Sequence, residues 1–176
     1  DLFIHPRDHD LIVGTHGRGI YIIDDLTPLR MLDSGKRAAN AALLPSRPQA
    51  MWTGGALQEF GSNDEFFGEP RSESAVIAYH LKKRHLFGDL RVNVYDAEGR
   101  RISSLSGGKR RGMNRVDWPM RLKAPRLPPS TQLVPAFVGP RLAEGVYKGE
   151  LVRGDETVTG TVELVADPRS PHSAED

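Results

Sequence analysis

Apolar residues fall along this chain in three regimes. Between positions 1 and 32 they come as short unbroken runs, Leu2-Phe3-Ile4, Leu11-Ile12-Val13 and Ile20-Tyr21-Ile22-Ile23. These β-branched and aromatic runs lack polar alternation, which predicts strands buried on both faces. Gly14, Gly17 and Gly19 separate the second and third runs. They predict a tight turn needing positive φ and close backbone approach. Asp24-Asp25 and Thr27-Pro28 follow. Two strands cannot bury each other, since an isolated hairpin is marginal in water. The stretch 8–26 therefore calls for neighbours, and the expectation is a C-terminal piece of something larger.

From 33 to 71 the pattern loosens. Arg37-Ala38-Ala39-Asn40-Ala41-Ala42-Leu43-Leu44 fits one short helix or a docked linker, and Gly and Pro punctuate the remainder. Trp52, Phe60, Phe66 and Phe67 are too many aromatics for a free linker, so an irregular segment pinned to a domain surface is expected. From 72 to 166 strand signals recur regularly. Ala75–Leu81 reads as a strand, and Leu90–Asp96 alternates with Leu90, Val92 and Val94 on one face. Arg100–Leu105 returns from the Ala97-Glu98-Gly99 turn, Asn114–Trp118 follows, and Gly145–Val152 with Thr157–Leu164 closes a hairpin. About seven short strands with turns between them predict a β-sandwich. Residues 167–176 read as a disordered polar tail.

Composition narrows the function classes. The chain has 176 residues, no cysteine and a formal net charge of +1. Disulfides, thiol nucleophiles and Cys-ligated metals are thereby excluded. So near-neutral a chain gives no global electrostatic case for nucleic acid or an anionic membrane. Lys82-Lys83-Arg84-His85 and Lys109-Arg110-Arg111 are local clusters, read as solvated faces. No run approaches the ~18 apolar residues of a membrane span.

Candidate chemistry is sparse. Gly14-Thr15-His16-Gly17-Arg18-Gly19 lacks the Gly-Lys-Ser/Thr of a phosphate loop and is followed by a strand, so it reads as a turn. His5, Asp8, His9, Asp10 and His16 hold donors for a metal but not the helical spacing of zinc enzymes. Asp24 and Asp25 are adjacent on an extended chain, which splays them away from a shared glycosidic bond and leaves turn capping as their role. No Gly-x-Ser-x-Gly elbow is present. Trp118 and Tyr147 sit in strand patterns where a sandwich needs bulky core. Trp52, in the irregular segment, is the aromatic that could stack on a ligand.

Together, His5-Pro6-Arg7-Asp8, Gly14-Thr15-His16-Gly17-Arg18-Gly19-Ile20-Tyr21-Ile22 and Asp24-Asp25-Leu26-Thr27-Pro28-Leu29 resemble the final blade of bacterial sortilin/sialidase-like (BNR, Asp-box) β-propeller proteins. Gly61 to Lys82 resembles the lead into their C-terminal domain. Val94-Tyr95-Asp96-Ala97-Glu98-Gly99-Arg100 and Gly145-Val146-Tyr147 resemble hairpins of its immunoglobulin-like, hook-capping or secretion-type module. The Asp-box itself, Ser-x-Asp-x-Gly-x-x-Trp, does not occur here, and none of the sialidase catalytic groups maps onto a residue of this chain. The short basic-apolar ending of a type IX sorting domain is likewise missing.

The resemblance implies an all-β chain in four parts. Residues 1–32 supply the final propeller-blade strands, 33–71 an irregular pinned linker, 72–166 an immunoglobulin-like β-sandwich and 167–176 a tail. It implies an exported, noncatalytic accessory region partnered by an upstream propeller, with no cofactor. Two alternatives stay open: part of a sialidase-like glycoside hydrolase with catalytic residues upstream, and a carbohydrate- or protein-binding module. The residues expected to matter structurally are Gly14, Gly17, Gly19, Ile20, Tyr21, Val92, Val94, Trp118 and Tyr147.

Overall fold

The computed structural model describes residues 1–52, 72–125 and 139–169. Strands dominate it, and the chain is all-β. Strands β1 (Leu2–Ile4), β2 (Leu11–Gly14) and β3 (Ile20–Ile23) form an antiparallel sheet in the order β1-β2-β3. Phe3, Ile12 and Ile22 stand opposite one another across it. The apolar runs thus form strands as expected, but they are not buried. Leu2 is 74% exposed and Ile20 73% exposed. The difference has a simple cause, because no other element of the described residues lies over either face.

Two short helices, α1 (Thr27–Arg30) and α2 (Ser34–Ala38), lead away from this sheet. Asp33 caps α2 by accepting from the Lys36 amide at 2.7 Å. The expected linker then departs from its reading. Ala41–Leu44 is strand β4 rather than helix, and Gln49–Met51 is strand β5. Ala-Ala-Leu-Leu prefers helix intrinsically, but β4 gains a full antiparallel ladder against the next strand. Pro45 also disfavours helical backbone at Leu44. Residues 53–71, including Phe60, Phe66 and Phe67, lie outside the described residues.

Six strands follow: β6 (Ala75–Leu81), β7 (Leu90–Tyr95), β8 (Arg101–Ser106), β9 (Gly112–Trp118), β10 (Gly145–Arg153) and β11 (Glu156–Ala166). With β4 and β5 they make two sheets, β4-β6-β9 and β5-β11-β10-β7-β8. So 72–166 supplies six described strands rather than about seven, and the two from the presumed linker complete the sheets. All pairings are antiparallel except β5 with β11. The alternation along β7 turns Leu90, Val92 and Val94 into one core. Ile77, Tyr79 and Trp118 of the smaller sheet meet them there with Leu151 and Leu164 of the larger. Burying such side chains stabilises by roughly 1.5–3 kcal/mol each.

The crossover after β8 passes close over this core. A Cβ on Gly107 would overlap Leu90 Cδ2 and lie 2.7 Å from the Tyr79 hydroxyl, so any larger residue must displace these buried side chains. That hydroxyl donates to the Gly108 carbonyl at 2.7 Å, and burial pushes its pKa up to about 12. The tail departs from expectation at its start: Asp167 is buried and accepts a two-pronged bond from the Arg169 guanidinium. Residues 170–176 lie outside the described residues.

Candidate functional site

The β1-β2-β3 sheet is unusual in having no polar face. Register places Leu2, Ile4, Leu11, Val13, Tyr21 and Ile23 on one side, and Phe3, Ile12, Ile20 and Ile22 on the other. Strands that are apolar on both sides belong to the middle layer of a stack, not to a surface. Contiguous exposed apolar area of this kind marks an interaction surface.

The glycines between β2 and β3 do what the sequence suggests. Gly17 has φ +78° and Gly19 φ +93°, and nothing lies near the space a Cβ would occupy at either. The demand is conformational rather than steric. Gly14 lacks a positive φ and donates its amide to the Asp1 carbonyl at 2.9 Å. Thr15 Oγ1 donates to the Gly19 carbonyl at 2.7 Å and closes the turn. This loop leads into β3, not into a helix.

An arginine ties the sheet to the two larger ones. Arg47, between β4 and β5, donates through Nη1 to the Asp8 carbonyl and to Asp10 Oδ1, the latter at 3.1 Å. Its backbone amide donates to Asp25 Oδ2 at 3.1 Å. Asp25 Oδ1 accepts from the Thr27 amide, while the Asp25 amide donates to Asp10 Oδ1 at 2.9 Å. Asp25 (φ +48°) and His9 (φ +56°) adopt left-handed backbone, where Asp and His are enriched. His9 Nδ1 sits 3.2 Å from Thr27 Oγ1.

The polar groups near the N-terminus thus serve a junction. Asp8 is held below its ordinary pKa mainly by the hydrogen bond from Arg7, with His5 and Arg47 adding favourable charge. Asp10 is buried, Asp24 is exposed and Asp25 is half-buried. His16 is exposed on the β2–β3 turn, at the opposite end of that hairpin from Asp10 and Asp25. Among the described residues no three His, Asp or Glu side chains form a group that could hold a metal.

Trp52 is half-buried at the end of β5. The Arg169 guanidinium lies 4.8 Å from its ring centroid, and its carbonyl accepts from Arg141 Nη1 at 2.9 Å. A sugar stacking on that ring face must first displace Arg169. Val92, Val94, Trp118 and Tyr147 are all core residues, and the Trp118 and Tyr147 rings meet edge to face at 5.3 Å. One cleft among the described residues, about 150 Å³, runs between Leu43, Pro45, Ile77, Gly149 and Gly160 and carries no ionisable side chain.

Sequence reasoning missed Arg47 altogether. Its partners lie 22 to 39 residues away, so no local pattern reports them. The faint signal was the density of aspartates in 8–25 set against one arginine between Pro45 and Pro48. No family model, curated protein or solved structure matches the chain.

Proposed function

We propose that this chain is a noncatalytic structural module of a larger exported protein of the sortilin/sialidase-like β-propeller type. In this reading β1–β3 are strands of a propeller blade, and β4–β11 form an immunoglobulin-like sandwich that braces it. The observation that carries the reading is the β1-β2-β3 sheet, with its ladder intact and both faces apolar and exposed. A propeller blade is a small antiparallel sheet stacked between two neighbouring blades, so it needs two apolar faces. Arg47 then acts as the strut between propeller and brace.

Two features support the immunoglobulin-like assignment. The order β4-β6-β9 against β5-β11-β10-β7-β8 divides the strands between two mainly antiparallel sheets with a shared core, which fits a sandwich of this kind. Tyr147, near the start of the penultimate strand, donates its hydroxyl to the Ala143 carbonyl four residues upstream at 2.7 Å. This bond resembles that of a tyrosine corner.

Hydrogen exchange on the 176-residue chain at several protein concentrations tests the proposal. Amides of 2–23 are expected to exchange at least about tenfold faster than those of β6–β11 at low concentration. Protection of 2–23 should rise with concentration as bare faces pair, and the double substitution Ile20→Lys, Ile22→Lys should abolish that rise. Protection of 2–23 equal to the sandwich core and independent of concentration would overturn the reading.

A further inference from the structure

The two basic clusters, 24 residues apart in sequence, meet at one end of the fold. Connection 82–89 joins β6 to β7, and connection 107–111 joins β8 to β9. Leu81 stands opposite Gly112, and Arg91 opposite Ser106, so both connections leave the same end. They are bonded together directly. The His85 amide donates to the Lys109 carbonyl at 3.0 Å, and Lys109 Nζ donates to the Gly88 carbonyl at 2.7 Å.

Lys82, Lys83 and Arg84 on one connection, with Arg110 and Arg111 on the other, are exposed, and none is ion-paired to a described carboxylate. The acids at this end are few. Asp89 is held by Arg91 at 2.9 Å and Glu156 by Arg153 at 2.6 Å, which leaves Asp155 on the β10–β11 turn. Between the basic groups the chain projects two large apolar side chains, Leu86 at 67% exposure and Phe87 at 85%. They sit on a short turn through Gly88, whose φ is +78°.

We infer that this end of the sandwich is a docking site for an anionic lipid bilayer. The side chains of 82–84 and 110–111 meet the headgroup charge, and Leu86 and Phe87 enter the headgroup–acyl boundary. The chemistry decides between anionic partners. A polyanion such as nucleic acid would use the cations alone and, at most, stack on one aromatic ring. An aliphatic and an aromatic side chain projecting together from a basic rim suit a surface with charge outside and hydrocarbon beneath. A near-zero net charge conceals this end, because the total is a sum over the whole chain and says nothing of how the charges are grouped. The inference stands independently of the propeller reading.

Co-sedimentation of the 176-residue chain with vesicles tests it. Binding is expected to phosphatidylcholine vesicles containing about a third phosphatidylglycerol, and not to pure phosphatidylcholine. Arg110→Glu with Arg111→Glu should weaken binding by more than about tenfold, and added salt should do the same. Leu86→Ala with Phe87→Ala should weaken it several-fold with the salt dependence retained. These four side chains are exposed, so the variants should melt with the parent, and circular dichroism checks this. A Phe87→Trp variant should gain blue-shifted emission that brominated lipid quenches. Absence of binding to anionic vesicles at low salt would overturn the inference. So would binding that Leu86→Ala with Phe87→Ala leaves unchanged, or tighter binding to a single-stranded oligonucleotide than to vesicles.

Discussion

Arg47 shows how much one side chain can carry when backbone and guanidinium point at different partners. Its amide fixes Asp25 and its Nη1 fixes Asp8 and Asp10, so three points of the N-terminal segment converge on one residue. The Arg47 side chain is 22% exposed and that of Asp10 9%, so solvent screens this pair less than a surface one. A hydrogen bond to a charged group contributes roughly 1.5–3 kcal/mol. Arg47→Met retains the aliphatic stem and removes the cation. The expected cost is about 2 kcal/mol, equivalent to a roughly thirtyfold rise in local opening. Because the junction joins one small sheet to the rest, that cost should appear as faster amide exchange across 2–26. The urea midpoint of β6–β11 should stay nearly fixed. A uniform loss across the whole chain would show that Arg47 supports the core instead of the junction.

At the scale of elements, β4 lies against the larger sheet only because that sheet lacks side chains beneath it. Gly149 and Gly160 are cross-strand partners on β10 and β11, and Leu43 sits over them. A Cβ on Gly160 would come 3.3 Å from Leu43 Cβ, tighter than ordinary packing. Gly160→Ala should therefore cost about 1 kcal/mol in urea unfolding, by the logic of overpacking. Combined with Leu43→Ala it should cost less than the sum of the single changes, and strict additivity would show that the two residues do not contact each other. This contact also explains what the sequence could and could not reveal. Strands β6, β7, β10 and β11 were legible because alternation or β-branched runs mark them wherever they pack. Strand β4 was not, because Ala-Ala-Leu-Leu becomes a strand only through a partner 34 to 40 residues away. The glycine turn of the candidate surface was readable from Gly17 and Gly19, whose φ values are local properties. Its exposure was not, because burial depends on what else is present.

Across the whole molecule, a net charge of +1 hides two features that matter more than the total. One is the concentration of cations without an ion pair among the described residues at the end formed by 82–89 and 107–111. The other is the state of the carboxylates. Asp8, Asp33 and Asp89 are held below their ordinary pKa values chiefly by hydrogen bonds from Arg7, Lys36 and Arg91 respectively. In Asp96 burial pushes the pKa up, but hydrogen bonds from Arg100 more than offset it. Glu150 is lowered first by the Tyr95 hydroxyl, which donates to Oε2 at 2.7 Å, and then by Asn93. Each of these groups has a folded pKa below its unfolded one. Each therefore contributes stability that is fully present above the unfolded value, near 4 for Asp and Glu, and lost as pH falls through the folded value. Asp33 and Asp89 are exposed and the other three only half-buried, so the individual contributions are small and salt-sensitive. Their common sign nevertheless predicts a urea midpoint flat from about pH 7 to 5 and falling below it. Tyr95→Phe isolates one member, since it removes the principal donor to Glu150 without touching the core. It should raise the Glu150 pKa, read by carboxyl NMR, and shallow the acid limb of the stability curve. An unchanged Glu150 titration in that variant would show that the lowering comes from Asn93, Lys148 and Arg101 rather than from the tyrosine.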